Sequence, residues 1–180
     1  MELTIRRETE ADITAIRSLI TRAFADDYHS WHNEQELVER LRDADQLSLS
    51  LVAIADMDIV GFLGATRVRC SDGTSGWCVL GPLAIEPEAR HGGIGTALLS
   101  RALETLRAAH TGGVAALGNA DFYHKFGFQP APDLRLGLER KAGAQVEVLG
   151  LSLDGSPIPQ GEVEPLSDRD SGKGSGREEA

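Results

Sequence analysis

A chain of 180 residues, 41% of them hydrophobic, suits one domain with a sizeable core and leaves little for a second. Its 28 Asp and Glu outnumber its 18 Lys and Arg, for a formal charge of −10. A surface of that sign cannot neutralise nucleic-acid phosphates, and no run approaches the ~18 apolar residues of a membrane span, so neither nucleic acid nor a membrane is an expected partner. The opening Met1-Glu2-Leu3-Thr4-Ile5-Arg6-Arg7 has no apolar leader core, and the expected location is cytoplasmic.

Leu3 to Arg6 alternates apolar and polar, as a half-buried strand does. Thr9 with Asp12 three residues on reads as a helix start, and Ile13, Ile16, Leu19, Ile20 and Ala23/Phe24 then recur at helical spacing. A polar, aromatic loop runs from Asp26 to Asn33. A second amphipathic segment follows from Glu34 to Arg42, with Leu37, Val38 and Leu41 on one face. Leu47 to Ala55, Ile59 to Arg69 and Trp77 to Ile85 are apolar, β-branched stretches separated by turns at Asp56-Met57-Asp58 and Ser71 to Gly76. They predict an antiparallel meander. Cys70 and Cys78 flank the second turn. A disulfide across a hairpin is conceivable, but free buried thiols fit a chain without an export signal better.

A helix from Ile94 to Ala109 carries a wide apolar stripe at Ile94, Leu98, Leu99, Ala102, Leu103 and Leu106, which suits packing on a sheet. Gly113 to Gly118 reads as a fifth, buried strand, making strand, helix and strand a parallel crossover. A short helix follows from Asn119 and stops at Gly127. Two more strands are expected around Leu134–Leu138 and Val146–Leu151. From about Pro157 the composition turns to Gly, Pro, Ser and charge. The expected division is a folded domain at 1–155 and a disordered acidic tail at 156–180.

The stretch Gly81 to Ser100 organises the rest. An apolar strand enters a polar turn containing Gly92, Gly93 and Gly95, and a helix starts at once. Unpaired N–H groups and the positive end of the helix dipole then face the turn, which suits a phosphate or pyrophosphate. A P-loop would need Lys and Ser/Thr after its last glycine, but Thr96-Ala97 stands there. A Rossmann turn would need a third small residue and a well-placed acid about twenty residues on, and neither is present. What remains is Arg90-x-x-Gly93-x-Gly95, preceded by Leu83-Ala84-Ile85 and a Pro87-Glu88 turn. This resembles the acyl-CoA signature of the GCN5-related N-acetyltransferases, the GNAT superfamily.

Tyr123-His124-Lys125-Phe126-Gly127-Phe128 is similar to the superfamily's Tyr-x-x-x-Gly-Phe element, and it follows the glycine turn at the expected remove of one helix and one strand. The resemblance covers roughly Leu3 to Leu151. Gly118 to Tyr123 and Gly81 to Gly95 look most like the bacterial YhbS-like acetyltransferases. It implies an α/β (α+β) GNAT fold: a mixed, mostly antiparallel sheet of about seven strands with about four helices, strands four and five splayed to hold acyl-CoA. It further implies that backbone N–H groups from His91 through Gly92, Gly93, Ile94 and Gly95 to Thr96, with Arg90 beside them, bind the CoA pyrophosphate. The main chain of Leu83, Ala84 and Ile85 would meet the pantetheine arm and polarise the acetyl carbonyl, and Asn119 would help orient the ligand. Tyr123 aligns with the general acid. A phenol, protonated at neutral pH, can donate to a departing thiolate.

The implied activity is transfer of an acetyl group from acetyl-CoA, as co-substrate, to a primary amine by direct attack in a ternary complex. The alternative is a non-catalytic acyl-CoA sensor or scaffold on the same fold. The acceptor, a small molecule or a basic peptide, cannot be read, although the acid excess favours a cationic one. A homodimer is compatible with the family. No metal site is expected, because no His/Cys cluster has ligand spacing. A base for the ammonium is not singled out. Glu86 and Glu88 lie near the glycine turn, and Asp26, Asp27, His29, His32 and Glu34 lie near the expected acceptor site. Each reads better as structural or solvated surface than as a catalyst, as does His124.

Overall fold

The computed structural model describes residues 2–27, 30, 32–137 and 146–167. The chain runs β1 (Leu3–Arg7), a 3-10 turn (Glu10–Asp12), α1 (Ile13–Ala23), α2 (Glu34–Asp43), β2 (Leu49–Ala55), β3 (Asp58–Cys70), β4 (Trp77–Ile85) and a second 3-10 turn (Pro87–Ala89). It continues with α3 (Ile94–Ala108), β5 (Gly113–Gly118), α4 (Ala120–His124), β6 (Gln129–Pro130), β7 (Leu134–Arg135), β8 (Glu147–Ser152) and β9 (Gly161–Pro165). The sheet order is β1-β2-β3-β4-β5-β8-β6. Its pairs along this path are antiparallel except β4 with β5.

The sheet is covered on both faces because β2 and β3 are apolar at successive positions. Leu51 and Ala53 join the cluster under α3, whereas Val52 between them joins the cluster under α1. The α3 stripe read from the sequence, Ile94 through Leu106, is buried at all six positions. From α1, Ile16, Leu19, Ile20 and Ala23 pack on Phe62 and Ala84. These two layers fix the helices whose ends frame the site.

One register detail opens the sheet. β4 pairs with β5 only from Trp77 opposite Gly113 to Leu80 opposite Ala116. β4 then runs on to Ile85 and β5 to Gly118 without pairing each other, the splay that the resemblance implies. β5 keeps β8 on its other edge to its last residue, Gly118 opposite Glu147.

Three expectations change. The tail expected to be disordered from residue 156 holds β9, which pairs Val163–Pro165 with Val68–Cys70 and runs parallel to β7. The cause is the length of β3. Its pairing with β2 ends at Leu49 opposite Ala65, which leaves the edge of Val68–Cys70 open, and β9 fills it. Residues 168–180 of that tail lie outside the described residues. The strand expected at Leu134–Leu138 is β7, Leu134–Arg135, and Leu138 is also outside them. Together with β6, β9 raises the expected seven strands to nine among the described residues. The two cysteines are free and buried. Cys78 joins the cluster under α3 and Cys70 the cluster on the opposite face, so the conceivable disulfide is not formed.

Candidate active site

The glycine turn leaves β4 through Pro87–Ala89 and reaches α3 in a left-handed bend, with His91 at φ 66° and Gly93 at φ 85°. Glycine takes the Gly93 conformation without the cost a Cβ would add. Gly93 is the N-cap of α3 and offers no side-chain acceptor to the first N–H groups of the helix. Those donors, and the positive end of a 15-residue helix, are left for something outside the protein.

They open into a cleft of about 740 Å³. Its lining includes Leu83, Ile85, Arg90, His91, Gly93, Ile94, Gly95 and Thr96. Ala23, Phe24, Asp26 and Asp27, at and beyond the end of α1, also line it, as do Phe122 and Lys125 of α4 and its C-cap. The 3-10 turn residue Ala89 completes it.

Alternation along β4 decides which main-chain groups are available. Glu86 N–H donates to Val60 O at 2.8 Å, so Glu86 and, two residues back, Ala84 turn their N–H and C=O toward β3. Leu83 and Ile85 turn theirs the other way, toward the gap between β4 and β5. Ala84 does not line the cleft: it is fully buried against α1. Gly92, whose Cβ position lies 3.2 Å from Ala89 O, is also outside the lining.

Arg90 is in the cleft but its guanidinium is engaged. Nη2 donates to Ala23 O at the end of α1. One residue earlier on α1, Arg22 grips Glu86 through two hydrogen bonds, of 3.1 and 2.6 Å. The two contacts tie α1 to the glycine turn, and Glu86 is thereby committed to an ion pair. Of the other carboxylates weighed as bases, Asp26 and Asp27 line the cleft, and Glu34 accepts a hydrogen bond from the Ser30 hydroxyl. His29 lies outside the described residues. Sequence reasoning placed Asp26 and Asp27 near the site but missed Phe122 and Lys125, whose three-residue spacing on the short helix was the available signal.

Tyr123 is buried beside the splay rather than exposed in the cleft. Its ring lies edge-on to Phe122 and Phe128, with centroids 5.0 and 5.1 Å away, and it packs against Gly118 so closely that a Cβ there would sit 2.4 Å from Cε2. Gly118 ends β5, so the ring stands at the β5 side of the gap. Burial pushes the phenol up to about 12. Asn119 serves α4: its side-chain oxygen accepts from Asp121 N–H at 2.8 Å, an N-cap, and it does not line the cleft. No group of three His, Cys, Asp or Glu able to hold a metal occurs among the described residues.

Residues 46–130 match the acetyltransferase (GNAT) domain. The N-acetyltransferase YhbS of Escherichia coli K12 is 31% identical over 134 residues, which is 73% of this chain and 77% of that protein. A GNAT family acetyltransferase from Brucella melitensis, solved in complex with acetyl-CoA, superimposes with a TM-score of 0.75 at 32% identity, covering 90% of this chain and 94% of the other. The structure of Escherichia coli YhbS in complex with CoA gives a TM-score of 0.76 at 28% identity, covering 92% and 91%.

Proposed function

The chain belongs to the GNAT acetyltransferase family, and on that premise we propose that it moves an acetyl group from acetyl-CoA to a primary amine by direct attack in a ternary complex. The observation that carries this reading is the uncapped N-terminus of α3 opening into the same cleft as the unpaired edge of β4. The first suits a pyrophosphate and the second an amide-bearing arm lying alongside a strand. Relatives of this fold were crystallised with acetyl-CoA and CoA, which supports the same ligand here.

Acetyl-CoA supplies the acetyl group as a thioester. The N–H groups from His91 to Thr96 hold its pyrophosphate, and the Leu83 and Ile85 main chain aligns its arm in the gap. A β4 N–H facing the gap then stabilises the negative charge that develops on the carbonyl oxygen. Tyr123, at the β5 side, gives its phenolic proton to the departing sulfur. A group held near 12 is protonated across the neutral range, so the proton is in place when the sulfur departs. The amine must arrive or become neutral before it attacks. Asp26 and Asp27 in the cleft lining favour a cationic acceptor in a chain already at −10. Direct attack is preferred to a covalent intermediate because Cys70 and Cys78 are buried in the two core layers, away from the cleft.

The test is release of free thiol from acetyl-CoA against a panel of primary amines and basic peptides. The wild type is expected to release thiol only when an acceptor is present. Tyr123→Phe is expected to lose turnover by about 10²–10³-fold while CoA affinity changes little. Binding of acetyl-CoA without release to any acceptor would instead favour a sensor on this fold.

A further inference from the structure

The gap between β4 and β5 is open at one end only. Pairing holds as far as Leu80 opposite Ala116, and the strands part from Gly81 onward. An arm anchored at the α3 N-terminus enters beside Ile85 and runs back along β4. Its far end, the thioester, then comes to the vertex at Gly81 and Pro82. From Ile85 back to Gly81 the strand spans roughly 13 Å, a distance that an extended pantetheine arm covers. The acyl group is the part of the ligand that meets whatever surrounds the vertex.

Three directions lead out of it. Straight on, the paired strands block the way. Toward α3 stand Leu80, Ala116 and Tyr123 of the buried cluster. The third direction crosses β4 on the face that carries α1. A Cβ on Gly81 would meet nothing within 4 Å, so space is left beside the vertex. The next strand ends that space. The β3–β4 register steps from Leu63 opposite Leu83 to Ala65 opposite Leu80, so Gly64 alone stands against Gly81 and Pro82 in a bulge. Leu63 and Ala65 join the cluster under α3, whereas Phe62 joins the cluster under α1, and Gly64 shares the face of Phe62. A Cβ on Gly64 would lie 3.1 Å from Gly81 O, 3.1 Å from Leu47 Cδ1 and 3.5 Å from Phe62 Cε1. Leu47 packs on the α1 cluster, and it also lines a second cavity of about 230 Å³ with Arg42, Ser48 and Ser50. Ser50 is the β2 partner of Gly64, so Leu47 stands between the vertex and that cavity.

We propose that Leu47 is a specificity-determining residue that closes the vertex behind a short acyl group, so that the site takes acetyl and turns away longer chains. The proposal rests on the acetyltransferase reading above and adds the acyl group to it. A packed contact of this kind does not take extra methylenes without forcing side chains out of their rotamers.

The test is calorimetric titration of acetyl-CoA and butyryl-CoA into the wild type, Leu47→Ala, Leu47→Val and Leu47→Met, with the melting temperature as control. Butyryl adds less carbon to acetyl than Leu47→Ala removes from the wall. The wild type is expected to bind acetyl-CoA about tenfold more tightly than butyryl-CoA, the low end of what a misfit of this size costs. Leu47→Ala should bring the two ligands within about twofold of each other, with acetyl-CoA affinity unchanged. Leu47→Val should narrow the difference in part, and Leu47→Met, of similar volume, should keep most of it. A wild type without the preference would overturn the proposal. So would a preference that survives in both truncated variants, or an equal loss for both ligands in them, which would leave Leu47 a packing residue alone. A wild type that binds neither acyl-CoA would bring down the acetyltransferase reading itself, a result distinct from all of these.

Discussion

Asp12 shows how much one side chain settles. Its carboxylate accepts from Arg6 at 2.7 and 3.1 Å and from Thr9 N–H at 2.7 Å, closing the start of the helical segment that continues as α1. The Arg6 hydrogen bonds, helped by those of Thr9 and opposed by burial, hold the carboxyl down at about 2. The ordinary Asp value is 3.8, so the folded state binds the proton less well than the unfolded one. The stabilisation is thus fully present above about pH 4 and is lost as pH falls toward 2. Asp12→Ala should cost roughly 1–2 kcal/mol at pH 7, mostly as a lost cap, since Arg6 is 40% exposed and screened. In thermal melts the deficit should shrink between pH 4 and pH 2. A deficit constant across that window would show that the charge plays no part. Thr9 and Asp12 could be read from their spacing, because a helix start is a local signal. Ala84 shows the opposite case. It lies between Leu83 and Ile85 in the motif, but a strand's period of two turns it toward α1 and β3, and only register with Val60 reveals which residues face the gap.

At the scale of elements, the glycine turn and α3 were legible because both are local. A run of small residues followed by an apolar stripe of helical period has few other structures open to it. Gly95 gives the sharpest prediction. A Cβ there would stand 3.6 Å from the Phe122 ring and 3.9 Å from Leu83 Cδ2, ordinary contacts that leave room for a methyl and little else. Gly95→Ala should therefore fold normally and bind CoA within about threefold of wild type, an alanine in a helix being if anything favourable. Gly95→Leu should place its side chain in the cleft and lose at least about tenfold in affinity, with the melting temperature as control. Equal binding by both variants would mean that the ligand does not approach the backbone here. β9 was not legible, because Gly161-Glu162-Val163-Glu164-Pro165 has one apolar side chain and two acids. Its strand conformation comes from the open edge of Val68–Cys70, some ninety residues away, and from Val163 and Ile158 packing on the layer that holds Cys70 and Leu134. No local pattern encodes an edge that another strand leaves free. Phe122 and Lys125 were passed over for a related reason: the motif directs attention to Tyr123, whereas the cleft takes the residues before and after it on the adjoining face.

Taken whole, the molecule holds two linings of one cleft in place. One is the glycine turn on β4 and α3. The other lining comes from the end of α1 on one face of the sheet and from α4 on the α3 face. Arg90 to Ala23 O and Arg22 to Glu86 bind α1 to the turn, and the sheet beneath both is continuous from β1 to β8. The cleft is lined by the α3 donors, Lys125, Asp26 and Asp27, within a chain of strongly negative charge. Attraction of CoA to such a protein cannot come from its overall field, so it must come from local N–H groups and the α3 dipole, which act over a few ångströms. The most direct test is titration of acetyl-CoA into the purified wild-type protein by calorimetry. The account predicts saturable one-to-one binding with a Kd on the order of 10 µM, within the usual span for an enzyme's substrate. Absence of binding at millimolar acetyl-CoA would contradict it, because the uncapped α3 terminus and the open edge of β4 would then have no ligand to explain them.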